Sequence, residues 1–146
     1  MAIALLLALI AGLVLPIQAG LNAQLRASLG SPALATLVSF LVGTLAIVPL
    51  VFAAGVQLPT SAAVSQVPWS RWTGGALGAT YVLISIIVAP RLGAATLIAT
   101  VVAGQMIAAV ILDHYGAVGY AQHSVNLWRL AGVFLVILGV VLIQRN

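Results

Sequence analysis

Long apolar stretches, each about the length of a membrane-spanning helix, dominate this sequence. Crossing the roughly 30 Å hydrocarbon core of a bilayer takes about 20 helical residues. Five stretches meet that requirement, at about residues 2–24, 33–54, 72–89, 93–112 and 128–143. Their apolar residues are continuous and do not alternate with polar ones, which favours helices over the strands of a barrel. We therefore predict an all-α membrane protein in which residues 1–146 form a single domain of five transmembrane helices.

The scarcity of charge agrees with the membrane class and excludes others. Only 4% of the residues are charged, against about 25% in soluble domains. The five basic residues are all arginines scattered along the chain, so we predict no nucleic-acid-binding surface. The chain has no cysteine, which excludes disulfides and thiolate chemistry. The first apolar stretch lacks a basic leader, so we expect a retained helix and not a cleaved signal peptide.

Residues 16–26 place polar side chains inside the otherwise apolar first helix. Gln18 and Asn22 are four residues apart and therefore share one helical face. Pro16 removes a backbone hydrogen bond just before them, which can kink the helix and free the carbonyl of Gly12. Amides at membrane depth are costly unless they face water or protein. We interpret Gln18 and Asn22 as the lining of a substrate-binding cavity; the alternative is that they hydrogen-bond neighbouring helices.

The third and fourth predicted helices carry further candidates for this cavity. Tyr81 and Ser85 share a face of the third helix, and Gln105 lies near the middle of the fourth. A single amide at that depth is equally consistent with substrate binding and with a structural hydrogen bond to another helix. The predicted substrate-binding residues are Gln18, Asn22, Tyr81, Ser85 and Gln105.

Other polar residues of the apolar stretches receive structural or peripheral roles. Ser39 and Thr44 are expected to serve packing. Gln24 and Arg26 are expected to be solvated near the membrane interface, where Arg26 and Arg91 would flank the mouths of the cavity.

Asp113 and His114 close the fourth helix, and their role has two interpretations. In the first they lie at the membrane interface, Asp113 pairs with an arginine, and His114 is solvated. In the second they form a proton-sensitive pair, since histidine titrates near neutral pH. His114 and His123 lie in a loop with too few other ligands for a metal site, so we predict neither a metal nor a cofactor. Enzyme motifs are missing, and the chain is not expected to be an enzyme.

The arginines are almost evenly divided between the two membrane faces that five spans would define. One face holds Arg71 and Arg129, and the other holds Arg26, Arg91 and Arg145. Such a weak positive-inside signal leaves two interpretations, a single orientation or a dual topology in which copies insert both ways. We favour the second, because five helices make a thin wall around a pathway. Two antiparallel copies would form a 5+5 inverted-repeat transporter with a site near the midplane.

The fifth predicted helix offers a surface for such pairing. Gly132 and Gly139 lie seven residues apart on a face of leucine and valine. This spacing suits a left-handed helix pair, within the chain or between chains. We predict that both glycines belong to the dimer interface.

An ordered set of short motifs resembles a known family. The motifs are GGALGATYV at residues 74–82, APRLGAA at 89–95, VAGQ at 102–105 and DHYGAVG at 113–119. Together with Gln18, Asn22 and the Ser31-Pro32 pair, they resemble the YdcZ-like family of small bacterial inner-membrane proteins, a branch of the drug/metabolite transporter superfamily. The resemblance covers nearly the whole chain. It implies a five-helix half-transporter of the inner membrane that pairs with a second copy or a paralogue and exports small molecules.

The absence of a carboxylate from the depth of any predicted span narrows the cargo. Proton-coupled exporters of lipophilic cations use a buried acid, for which protons and cargo compete. We therefore predict small neutral or anionic solutes. The alternatives are a passive channel of the same architecture and a non-transporting membrane subunit that stabilises a partner.

Overall fold

The computed structural model describes residues 2–145, and these residues fold into helices with no strand among them. The helices, numbered in chain order, are α1 (Ala2–Leu29), α2 (Pro32–Ala53), α3 (Ser61–Ser65), α4 (Trp69–Tyr115) and α5 (Leu127–Gln144). A short 3₁₀ turn, Ala117–Gly119, follows α4. The predicted all-helical architecture is therefore confirmed for the described residues.

Local sequence explains where the helices begin and end. Gly30 has a φ of +71°, a left-handed conformation that ends α1. The Ser31 hydroxyl then accepts a hydrogen bond from the Leu34 N–H, and Pro32 occupies the first turn of α2. The Asn126 side chain caps α5 in the same way by accepting from the Arg129 N–H at 2.9 Å.

Helix α4 is 47 residues long and contains one backbone break, at Gly93. Its φ of +72° and ψ of 168° lie in a region that essentially only glycine adopts. The predicted stretches 72–89 and 93–112 leave residues 90–92, which begin with Pro90, outside both helices. The helix instead continues through Pro90 to residue 92, because the proline removes one hydrogen bond without forbidding helical dihedrals.

The chain forms two compact units whose boundary falls inside α4, after Pro90. The first unit holds α1, α2, α3 and the first part of α4. Its core is a small cluster of Ala35 from α2 with Val82 and Ile86 from α4. Leu25 of α1 and Tyr81 of α4 pack against this cluster, so three long elements meet there.

The second unit consists of the rest of α4, the loop that contains the 3₁₀ turn, and α5. The loop is tied to the end of α4 by the backbone, since the His123 N–H donates to the Asp113 carbonyl at 2.7 Å. Helix α5 has no buried residue among those described.

Among the described residues, four helices are long and apolar enough to cross a membrane, namely Ile3–Leu29, Pro32–Ala53, Trp69–Tyr115 and Leu127–Gln144. The bounds of α2 and α5 agree with the predicted stretches 33–54 and 128–143 to within about one residue. Helix α1 extends to Leu29, beyond the predicted residue 24, because hydropathy measures the membrane-embedded length and not the helix end. Since α4 is one of these four, the predicted count of five spans is not confirmed by the helix count alone.

Candidate functional site

A small polar cavity lies between α1 and α4 in the first unit. Its lining consists of Leu15, Gln18, Ala19 and Asn22 from α1 with Tyr81, Val82 and Ser85 from α4. Four of the five predicted substrate-binding residues therefore lie around one cavity. They come together because Gln18 and Asn22 share a face of α1, while Tyr81 and Ser85 share the facing side of α4.

Asn22 and Ser85 are the buried polar residues of this cavity. Their exposed fractions are 7% and 5%. Neither side chain makes a hydrogen bond to any described residue, although each has polar atoms that require partners. No fully buried side-chain nitrogen or oxygen in the described part of the chain lacks a partner, so the polar atoms of Asn22 and Ser85 each keep a small exposed surface.

The cavity itself is nearly closed in this conformation. Its volume of about 10 Å³ is at the lower limit for one water molecule. A wider groove of about 410 Å³ runs between α1 and α2, lined by Gln18 together with Ser39, Phe40, Gly43, Thr44, Ile47 and Val48. Gln18 lines both spaces and is exposed. Gln18 therefore borders both the groove and the small cavity. Ser39 and Thr44, for which we predicted packing roles, line the groove.

Arg26 bonds to the helix that carries Ser85. Its Nη1 atom donates to the carbonyl oxygens of Ile86 at 3.2 Å and Ile87 at 3.3 Å. The Ile86 carbonyl needs such a donor because Pro90, four residues later, has no N–H. Arg26 is half-buried, so our expectation of a solvated side chain at this position was wrong. The position of Pro90 predicts that the Ile86 carbonyl lacks its helical partner, but the sequence does not show which donor bonds to it.

Gln105, the fifth predicted binding residue, lies in the second unit. It is exposed, and it lines a separate cavity of about 330 Å³ with Asp113, Tyr120 and the apolar residues Ala108, Ala109 and Leu112.

Asp113 forms an ion pair with Arg129, whose Nη1 lies 3.0 Å from the Asp113 Oδ2. His114, for which we considered a solvated side chain, is half-buried and engaged. Its Nδ1 accepts a hydrogen bond from the Val125 N–H at 3.3 Å, and its carbonyl accepts one from the Gln122 side chain at 3.0 Å. These contacts fold the loop onto the end of α4.

The two glycines assigned to the dimer interface lie on α5. Gly132 is exposed and Gly139 is half-buried. A Cβ atom added at either position would meet no other described atom within 4 Å. This face of α5 is therefore open, and its assignment to a dimer interface stays a prediction.

A family model described as "Putative inner membrane exporter, YdcZ" matches residues 3–142 of the chain. The chain belongs to the YdcZ family. This match confirms the resemblance drawn from the sequence motifs. No curated protein and no solved structure matches the chain.

Membership of the YdcZ family, together with the long apolar helices, makes the chain a multi-pass protein of the inner membrane. The family description supports a transport role in general. In this YdcZ-family chain, the described residues contain no group of three side chains able to hold a metal ion. The polar side chains that line the cavity between α1 and α4 are two amides, a phenol and a hydroxyl.

Proposed function

We propose that this YdcZ-family protein exports small neutral or anionic solutes, which bind at the cavity formed by Gln18, Asn22, Tyr81 and Ser85. The observation that carries the proposal is the pair Asn22 and Ser85. Two buried polar side chains without protein partners cost stability, and their position on one cavity is explained if a cargo supplies the missing hydrogen bonds.

The charge around the cavity supports neutral or anionic cargo. Its lining contains an amide pair, a phenol and a hydroxyl, and no charged side chain. The single acidic residue of the chain, Asp113, is paired with Arg129. A cationic solute would therefore meet no carboxylate in the first unit, which makes cation export unfavourable at this site.

The length of α4 supports five membrane crossings. At 1.5 Å per residue a straight helix of this length would span about 70 Å, more than twice the hydrocarbon thickness. The break at Gly93 divides it into residues 69–92 and 94–115, each long enough for one crossing. We propose that these are two spans, so that the protein is a five-helix half-transporter.

Pairing with an inverted second copy, or with a paralogue, completes the proposed transporter. The near-even division of arginines supports a dual topology. The open face of α5 around Gly132 and Gly139 supports contact with lipid or with a second chain. Alternating access between the two repeats would then expose the cavity to each side in turn.

Reconstitution into liposomes tests the function. We expect wild-type protein to accumulate a transported solute against its gradient, and Asn22→Ala to reduce that flux. Equilibration without accumulation would instead favour the passive channel. The same experiment is repeated with a set of candidate solutes. If none of them is transported and none stabilises the purified protein, a non-transporting membrane subunit becomes the better interpretation.

The antiparallel pair has its own test. A cysteine placed at residue 146 is labelled with an impermeant reagent from each side of sealed vesicles. We expect labelling from both sides, and added lysines at one terminus should fix the orientation and reduce flux. Labelling from one side only would rule out the homodimeric antiparallel arrangement and leave pairing with a paralogue of opposite orientation.

A further inference from the structure

Arg26 is a half-buried cation in a unit that contains no acidic residue. Asp113 is the single acid of the sequence, and it lies in the other unit, paired with Arg129. Within the first unit Arg26 therefore has no ionic partner. Charges removed from water are costly unless they are paired, so the missing partner of Arg26 has to be explained.

The known contacts of Arg26 use only part of its guanidinium. Both hydrogen bonds, to the carbonyls of Ile86 and Ile87, come from Nη1. In the described part of the chain Nε and Nη2 donate to no protein acceptor. A guanidinium presents five N–H donors in a planar fork that matches carboxylate and phosphate groups. Hydrogen bonds to two neutral carbonyls within α4 do not neutralise the full charge of the guanidinium.

The position of Arg26 relates this charge to the polar cavity. Arg26 follows Asn22 by four residues and so lies one turn further along the same face of α1. Its acceptor Ile86 directly follows Ser85. The Arg26 guanidinium therefore bonds to α4 at the residue next to Ser85, which lines the cavity.

We propose that Arg26 is the anion-binding residue of this site and pairs with an oxyanion, a carboxylate or a phosphate. The oxyanion belongs either to the cargo, whose neutral polar part binds Asn22 and Ser85, or to the headgroup of an anionic lipid. This proposal rests on the proposed function for its account of the cargo, although an anion site at Arg26 is testable without transport.

The test separates the charge of Arg26 from its hydrogen bond to the Ile86 carbonyl. Pro90→Ala restores an N–H that can donate to the Ile86 carbonyl, so Arg26 is no longer needed there. Pro90→Ala is then compared with the double variant Arg26→Gln/Pro90→Ala. The matched control, Arg71→Gln/Pro90→Ala, removes the same charge from an exposed arginine of the same unit.

Binding is read as thermal stabilisation of protein in lipid nanodiscs, because a ligand of the native state raises its apparent stability. One arm titrates inorganic phosphate, at constant ionic strength, into nanodiscs of phosphatidylcholine. The other arm replaces part of the phosphatidylcholine with phosphatidylglycerol and adds no phosphate. Response in the first arm identifies a free oxyanion as the ligand, and response in the second alone identifies a lipid headgroup.

In at least one arm we expect the Arg26→Gln/Pro90→Ala protein to bind at least about tenfold more weakly than Pro90→Ala, as loss of a charged hydrogen bond predicts. The Arg71→Gln/Pro90→Ala control should bind as Pro90→Ala does. Equal stabilisation of all three variants in both arms, or equal loss in the Arg26 and Arg71 variants, would overturn the proposal. If solute flux depends on Asn22 while anion binding does not depend on Arg26, this inference fails and the proposed function stands. If anion binding depends on Arg26 but no solute is transported, the anion site stands and the proposed function fails.

Discussion

Arg129 Nη1 lies 3.0 Å from the Oδ2 atom of Asp113, so the single acidic side chain of the sequence is engaged by an arginine sixteen residues away. The same Nη1 also donates to the His123 carbonyl at 3.4 Å. The pair therefore closes the loop between α4 and α5. It also occupies a carboxylate that would otherwise be free to bind a cation.

Removing either partner should loosen the loop more than it destabilises the protein. Both side chains are about 30% exposed, and partly exposed pairs of this kind contribute about 0.2–1 kcal/mol. We expect Asp113→Asn and Arg129→Gln each to lower the melting temperature slightly and to be non-additive in the double variant. Amide hydrogen exchange at His123 and Val125, whose N–H groups bond to Asp113 and His114, should accelerate. Additive effects on stability would show that the two residues do not interact in the membrane.

The break in α4 should depend on glycine at position 93. Its φ of +72° and ψ of 168° impose strain on any residue with a side chain, at about 1–3 kcal/mol. The space around the position is open, since an added Cβ meets no described atom within 4 Å. We therefore expect Gly93→Ala to lower the melting temperature through backbone conformation alone.

Gly104→Ala provides the control on the same helix. Gly104 has no positive φ and equally open surroundings, so the substitution should leave stability unchanged or slightly raised. Topology labelling on both sides of residue 93 gives a second measurement. If the two segments of α4 are separate spans, Gly93→Ala should reduce insertion of the second, whereas equal behaviour of the two alanine variants would contradict the assigned conformation.

Hydropathy and breakers predict helix positions well in this chain because membrane helices need long, continuous apolar runs. The α2 and α5 bounds illustrate this. Pro90 shows where the method reaches its limit. The third predicted stretch ends just before Pro90, whereas the backbone leaves the helical region at Gly93, and only the dihedrals distinguish these two residues. The short helix α3 was not predicted, because its five residues are too few to form a long apolar stretch. Its one sequence signal is Thr60, whose side chain caps the helix by accepting from the Ala63 N–H.

The candidate site was predictable to the extent that it depends on helical register. Spacing of four placed Gln18 with Asn22 and Tyr81 with Ser85, and the packing of α1 on α4 brought the pairs to one cavity. Register within one helix does not determine which helices pack together. For this reason the sequence did not assign Arg26 to the Ile86 carbonyl.

Arg26 and Pro90 should show coupled effects on stability. In the wild-type protein Arg26→Gln leaves the Ile86 carbonyl without its donor, at a cost of about 1–3 kcal/mol. With Pro90→Ala the helix supplies its own donor, so the same substitution should cost less. Unfolding of the four proteins by heat or denaturant measures the coupling. Equal costs in both backgrounds would mean that the hydrogen bond from Arg26 to the Ile86 carbonyl does not stabilise α4.

We expect Asn22 and Ser85 to lower the stability of the fold while they contribute to solute transport. Asn22→Leu and Ser85→Ala each remove a buried polar group that has no protein partner, so we expect unchanged or higher melting temperatures. Solute flux in liposomes should fall in both variants. Thr36→Val is the matched control, because Thr36 is equally buried but its hydroxyl already donates to the Pro32 carbonyl at 2.9 Å within α2. Thr36→Val should keep its flux. A lower melting temperature for Asn22→Leu, with flux intact, would indicate that the amide is a structural group and that the cargo binds elsewhere.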